Sequence, residues 1–160
     1  MQRLEGKVAI ITGAASGFGE GMARRFADEG AKVVIADIRG ELAENVASSI
    51  GDAAVGIKSD VTSLENTQAM VAAAISNFGR LDIFVANAGY THRNMPMTDV
   101  DEDDYNRVAD VNMKSLYYTA RAVVPLMEKQ GGGTILATAS TAGLRPRPGL
   151  VWYNASKAWV

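Results

Sequence analysis

The chain has 160 residues, is 48% hydrophobic and 21% charged, and carries a net charge of −2, the composition of an ordinary globular domain that buries about 70% of its unfolded surface. The weakly acidic balance argues against a nucleic-acid partner, which needs clustered Lys and Arg. No cysteine is present, which excludes disulfides and thiolate metal sites, and the first apolar run, residues 8–12, is too short for a secretion signal or a membrane span. A cytoplasmic protein with no membrane partner is expected.

From there apolar runs and amphipathic stretches alternate. Residues 7–12 (KVAIIT) are short, β-branched and bounded by glycine, which predicts a buried strand. Residues 18–29 follow with Met22 and Phe26 at helical spacing and stop at Gly30, a C-terminal signal. A second strand is predicted over 32–37 (KVVIAD), a second helix over 41–50 and a weaker third strand over 54–59. Thr62-Ser63-Leu64-Glu65 has the form of a capping box, and Val71, Ile75 and Phe78 then share one helical face. A fourth strand is predicted over 81–86. A long helix follows over about 102–128, with Pro125 placed to kink it near its end. Gly131-Gly132-Gly133 predicts a turn and 134–138 a fifth strand. The acidic run Asp99, Asp101, Glu102, Asp103 and Asp104 lies where the long helix begins, and favourable charge at a helix N-terminus accounts for it without a metal site.

Strands this apolar are covered on both faces, which implies a parallel sheet with crossover helices. Right-handed crossovers then give a doubly wound α/β fold. No linker or repeat divides the chain, so residues 1–160 are expected to form a single domain.

Three glycines, Gly13, Gly17 and Gly19, crowd the turn after the first strand in TGAASGFG. That turn opens at the C-terminal edge of the sheet, where open α/β sheets bind ligands, and a helix N-terminus there suits a pyrophosphate. A side chain would block the close approach. The spacing is G-x3-G-x-G rather than G-x-G-x-x-G, and a plain tight turn would use the same residues. Asp37 ends the second strand 18 positions after Gly19, near the ~20 expected for a carboxylate on the adenosine ribose. Such a carboxylate bonds a 2′-hydroxyl and repels a 2′-phosphate, favouring NAD over NADP. Arg39, close by, would soften that preference if it were not simply solvated. Tyr153 and Lys157 are four apart in YNASK and share a helical face. A phenol titrates near ~10, and an adjacent ammonium stabilises its phenolate, so the pair can exchange a proton with an alcohol or ketone.

With TGAASGFG, Asn87-Ala88-Gly89 and Tyr153-x3-Lys157 in that order, the chain resembles the short-chain dehydrogenase/reductase family from about residue 5 onward. The resemblance implies a Rossmann-type dinucleotide-binding domain and an NAD-dependent enzyme acting on a secondary alcohol or ketone, such as a sugar, a polyol or a 3-oxoacyl thioester. It places Gly13, Ser16, Gly17, Phe18 and Gly19 at the cofactor, Asp60 and Val61 at the adenine ring, and Asn87, Ala88 and Gly89 near the adenosine ribose. Ser16 stands where NADP-preferring members often carry a basic residue. The implied catalytic set is Asn112, Ser140, Tyr153 and Lys157. Tyr153 is the general acid/base, and Lys157 holds the nicotinamide ribose and lowers the tyrosine pKa. Ser140 polarises the substrate carbonyl, and Asn112 places a water that relays protons to Lys157. Family members often show Ser-Ser where Ala139-Ser140 stands, with Thr138 and Thr141 as the possible substitutes.

Members of that family continue well past Val160, so the resemblance implies that the last strands are missing, that the fifth strand is an exposed edge, and that Tyr153 and Lys157 stand barely one turn into their helix. A non-catalytic dinucleotide-binding or interaction fragment is the alternative reading. His92, the single histidine, is expected in a mobile loop. Residues 90–97 and 144–153, with Arg145 and Arg147, are expected to line part of the substrate pocket. A homo-tetramer or homo-dimer using the long helix is implied.

Overall fold

A computed structural model describes residues 2–160. Its strands are β1 (Val8–Thr12), β2 (Lys32–Asp37), β3 (Ala54–Lys58), β4 (Ile83–Ala86) and β5 (Thr134–Ala137). Its helices are α1 (Gly17–Asp28), α2 (Gly40–Ile50), α3 (Leu64–Phe78), α4 (Glu102–Ala109), α5 (Ser115–Gln130) and α6 (Val151–Trp159). All strands pair in parallel in the order β3-β2-β1-β4-β5, with Ile10 opposite both Val34 and Phe84.

Strand periodicity sorts the core into two layers. Ile11, Val33, Ile35 and Val85 point to one face, where Ala23 of α1 and Ala43, Val46 and Ala47 of α2 cover them. Val8, Ile10, Val34, Ala36 and Phe84 point to the other, under Met70 and Ala74 of α3 and Val123 and Met127 of α5. This is the doubly wound Rossmann-type sheet with helices on both faces. β3 and β5 are the two edge strands, and all four residues of β5 are exposed.

Several local expectations need correction. The cap of α3 is Ser63, whose hydroxyl accepts from Asn66 N, not Thr62. Thr62 instead donates its own hydroxyl and its N–H to Asp60 Oδ1 at 2.8 and 2.9 Å, an Asx turn that competes with capping. The buried face of α3 is Thr67, Met70 and Ala74, with Val71 and Phe78 at its margin and Ile75 exposed. The long helical segment departs from α geometry at a π turn over Asp110–Lys114, not at Pro125, which α5 carries inside it. A single π turn inserted in a helix redirects the side chains it carries, and this one carries Asn112. α6 is nine residues long and starts two residues before Tyr153, so Tyr153 lies in its first turn and Lys157 one turn further on. Among the described residues, no helix is long and apolar enough to cross a membrane.

Candidate active site

The chain leaves β1 toward β2 on one side and returns to β1's other side with β4. Connections from β1 and β4 therefore part to opposite faces, leaving a crevice at the strand C-termini. A cleft of about 650 Å³ opens there, lined at one end by Gly13, Ser16, Phe18, Gly19 and Asp37 and at the other by Ser140, Tyr153 and Lys157. Asp60, Val61, Asn87, Ala88 and Gly89 line the stretch between.

At the first end the glycines have distinct reasons. Gly13 and Gly17 hold φ of +64° and +59°, a left-handed conformation that only glycine adopts at low cost. A Cβ on Gly19 would overlap the Gly13 carbonyl oxygen and stand 2.7 Å from Asn87 Nδ2. The helix α1 that follows has no side-chain cap, since Ser16 makes no cap hydrogen bond. Its first-turn N–H groups and positive dipole end are thus left for an anion at the cleft wall.

Hydrogen bonds across the sheet's switch point fix this turn. Thr12 Oγ1 accepts from Asn87 N and Ala88 N, both at 3.0 Å. Asn87 Nδ2 donates to Thr12 O at 2.9 Å, and Asn87 Oδ1 accepts from Thr138 Oγ1 at 3.3 Å. Thr138 is thus a strap between β4 and β5, and it also lines the cleft.

Asp37 is 5% exposed. Burial pushes its carboxyl up, but the Arg39 guanidinium and the backbone N–H groups of Arg39 and Ala15 outweigh that and hold it below the usual carboxylate range. Arg39 is therefore paired with Asp37 (3.1 Å) and with Ser16 Oγ (2.8 Å) rather than simply solvated.

At the other end, α6 places Tyr153 and Lys157 one turn apart. Lys157 is 7% exposed and donates from Nζ to the Thr138 carbonyl at 2.7 Å. Gly143 lets its backbone approach, because a Cβ there would stand 2.7 Å from the Lys157 carbonyl group. That contact packs α6 on the short turn Thr141–Gly143, which Ser140 caps by accepting from Ala142 N at 3.1 Å. Trp152 meets Tyr105 edge-on at 5.2 Å, which seats α6 against α4.

Burial alone lowers the Lys157 pKa from its ordinary 10.5. Between the lowered value and 10.5 the unfolded chain binds more protons than the folded one, so stability rises with pH in that window. Below the window the burial penalty is fully present. We expect Lys157→Met to flatten this rise, as read by urea unfolding at a series of alkaline pH values.

Asn112 is buried beneath the cleft rather than lining it. Its Oδ1 accepts from Tyr90 N, and its Nδ2 donates to Tyr90 O and Ser156 Oγ, all at 2.9 Å. Asn112 Oδ1 and Lys157 Nζ both lie within 3.6 Å of where a Gly89 Cβ would be. A cavity of about 10 Å³ also touches Asn112, Lys157, Thr12, Ser115 and Thr119, about the room of one water. Gly17 is not among the cleft-lining residues either.

His92 does lie in the loop that follows β4, but it is buried there. It is 2% exposed, with Nδ1 2.7 Å from the Arg93 carbonyl oxygen. Of the segments 90–97 and 144–153, only Tyr90, Thr91 and Tyr153 line the cleft; Arg145 and Arg147 are exposed and outside it. Those two segments are pinned together instead, with Asn94 Nδ2 donating to Pro148 O at 2.7 Å and Met95 N to Gly149 O at 3.0 Å. Arg107, which the sequence gave no reason to single out, lines the cleft with its guanidinium 4.3 Å above the Tyr90 ring.

A family model described as short chain dehydrogenase matches residues 7–160. The 4-formylbenzenesulfonate dehydrogenase of Comamonas testosteroni is 46% identical over 158 residues, covering 97% of this chain and 63% of its own. The galactitol 2-dehydrogenase of Agrobacterium fabrum is 45% identical, covering 99% and 62%. A crystal structure of a 3-ketoacyl-(acyl-carrier-protein) reductase from Brucella melitensis, complexed with NADH, superposes with a TM-score of 0.94 at 48% identity, covering 98% of this chain and 66% of that one. The chain thus spans under two thirds of the length of the curated relatives it matches.

Proposed function

The chain belongs to the short-chain dehydrogenase family, and from that premise we propose that it is the cofactor-binding and catalytic portion of an NAD-dependent oxidoreductase acting on a secondary alcohol or ketone. One observation carries the reading: a single cleft joins the glycine turn and Asp37 to Ser140, Tyr153 and Lys157.

The residues present fit a nicotinamide dinucleotide. The uncapped N-terminus of α1, reached over side-chain-free Gly13 and Gly19, suits its pyrophosphate. Asp37 stands at the end of β2 for the adenosine ribose, and its negative charge favours NAD over NADP. Asp60 and Val61 take the adenine side, and Asn87, Ala88 and Gly89 the floor. When bound, the cofactor supplies the hydride chemistry, and the protein supplies orientation and the proton.

In the reducing direction the Tyr153 hydroxyl gives its proton to the carbonyl oxygen of the substrate; in the oxidising direction the phenolate takes it from the alcohol. The Ser140 hydroxyl donates a hydrogen bond to the same oxygen. Its acceptor side is already used by Ala142 N, which leaves the proton free to point into the cleft. Lys157 has three ammonium donors, one taken by Thr138 O, and the remaining two serve the nicotinamide ribose. Asn112 fixes the post-β4 segment at Tyr90 and borders the small cavity beside Lys157, through which a water can return protons to Lys157. A homo-dimer or homo-tetramer is also proposed, with exposed Tyr117 and Val124 on α5 in its interface.

The test is NADH consumption with a panel of polyol-derived ketones, oxosteroids and 3-oxoacyl thioesters. Turnover of one class with NADH in preference to NADPH supports the reading. Saturable NADH binding with no turnover of any class would leave a non-catalytic dinucleotide-binding module.

A further inference from the structure

The Asp37 carboxylate is saturated. Its Oδ1 accepts from Arg39 N at 3.0 Å and Arg39 Nε at 3.1 Å, and its Oδ2 from Ala15 N at 3.1 Å and Arg39 Nη2 at 3.3 Å. A carboxylate offers about four acceptor positions, so none is left for a ligand hydroxyl. Two of the four donors are backbone N–H groups and stay in place. The other two belong to one guanidinium, half-exposed at the cleft wall and free to rotate into solvent. If it leaves, each carboxylate oxygen keeps one backbone bond and regains one acceptor position. One open position on each oxygen is the pattern that the two adjacent hydroxyls of a ribose fill.

We propose that Arg39 is a specificity-determining latch over the ribose subsite. It occupies the two Asp37 positions that a ribose diol needs, and it swings aside when a dinucleotide with a free 2′-hydroxyl binds. This rests on the cofactor reading above. The latch raises the apparent Kd for NADH in inverse proportion to the share of molecules in which it is open. A 2′-phosphate cannot bond Asp37, but the released guanidinium and the Ser16 hydroxyl, already 2.8 Å apart, offer it charge and donors. Arg39 thus narrows the gap between the two cofactors that Asp37 opens.

Fluorescence titrations of the protein, of Arg39→Ala and of Arg39→Lys with NADH and with NADPH test this. Arg39→Ala is expected to bind NADH about three- to tenfold more tightly and NADPH about tenfold more weakly. Arg39→Lys keeps the charge and loses the planar fork, so NADH should tighten while NADPH is retained. A purely structural role would weaken both cofactors together in Arg39→Ala. That parallel loss, or affinities unchanged within about twofold, overturns the latch while leaving the cofactor reading intact. NADH binding absent from all three proteins overturns the cofactor reading and the latch with it.

Discussion

Tyr153→Phe is expected to lower kcat by about a thousandfold while leaving the NADH affinity within about twofold of wild type. The substitution keeps the ring and its place in α6 and removes only the oxygen proposed to exchange the proton. Positioned acid–base groups contribute about 10²–10⁴-fold, and loss of such a group lowers kcat and kcat/KM together because the interaction exists only in the transition state. Initial rates of NADH consumption, paired with a fluorescence titration, separate this outcome from misfolding, which would weaken binding as well. Turnover within about tenfold of wild type would move the proton-transfer role to another hydroxyl of the cleft, with Ser140 the first to replace.

Gly19→Ala is expected to weaken NADH binding by about a hundredfold, the scale at which a displacement of about 1 Å registers in a preorganised site, and to destabilise the fold by about 1–3 kcal/mol. The added Cβ meets the Gly13 carbonyl and the Asn87 amide at once. Relieving that overlap displaces either the turn or the Asn87 side chain that straps β1 to β4. Gly17→Ala is the informative companion. Its Cβ would meet nothing within 4 Å, so only the positive φ of +59° is strained, which costs about 1–2 kcal/mol. Urea unfolding and NADH titration of both variants should therefore show comparable stability losses, with a much greater affinity loss for Gly19→Ala.

The alternation of strands and helices was legible because short β-branched apolar runs that alternate with amphipathic helical stretches fit a parallel sheet covered on both faces. The glycine turn was legible as a turn, since Gly13 and Gly17 hold the positive φ that glycine adopts at low cost, and Asp37 as the charge that ends β2. Contacts between distant segments were harder to read. The π turn that carries Asn112 lies in a stretch whose residues are all compatible with a regular helix, and nothing local marks the extra residue per turn. Pro125 does mark itself, yet α5 runs through it. Thr62 and Ser63 could each cap α3; the choice fell to Ser63 because Asp60 engages Thr62. The burial of His92 and the exposure of Arg145 and Arg147 depend on how two loops close on each other. Gly143 stood in plain view beside Ser140, but its function, admitting the α6 backbone at Lys157, becomes visible only when the two segments are packed. Pairing of Arg39 with Asp37, two residues apart, was within reach of the sequence. A carboxylate at a strand end with an arginine at i+2 is a natural partner for it, and its consequence for the ribose subsite follows from counting acceptor positions.

Titration of NADH into the purified protein, read by quenching of the two tryptophans, Trp152 and Trp159 of α6, tests whether the cleft holds the cofactor. Trp152 adjoins Tyr153 in sequence, so a nicotinamide seated in the cleft should be close enough to take up its emission. Saturable quenching is expected with a Kd between about 1 μM and 1 mM, reversed by excess NAD and weakened about a hundredfold in Gly19→Ala. Unsaturable attenuation over that range, identical in wild type and Gly19→Ala, would contradict it and leave Tyr153 and Lys157 beside a cleft that holds no cofactor.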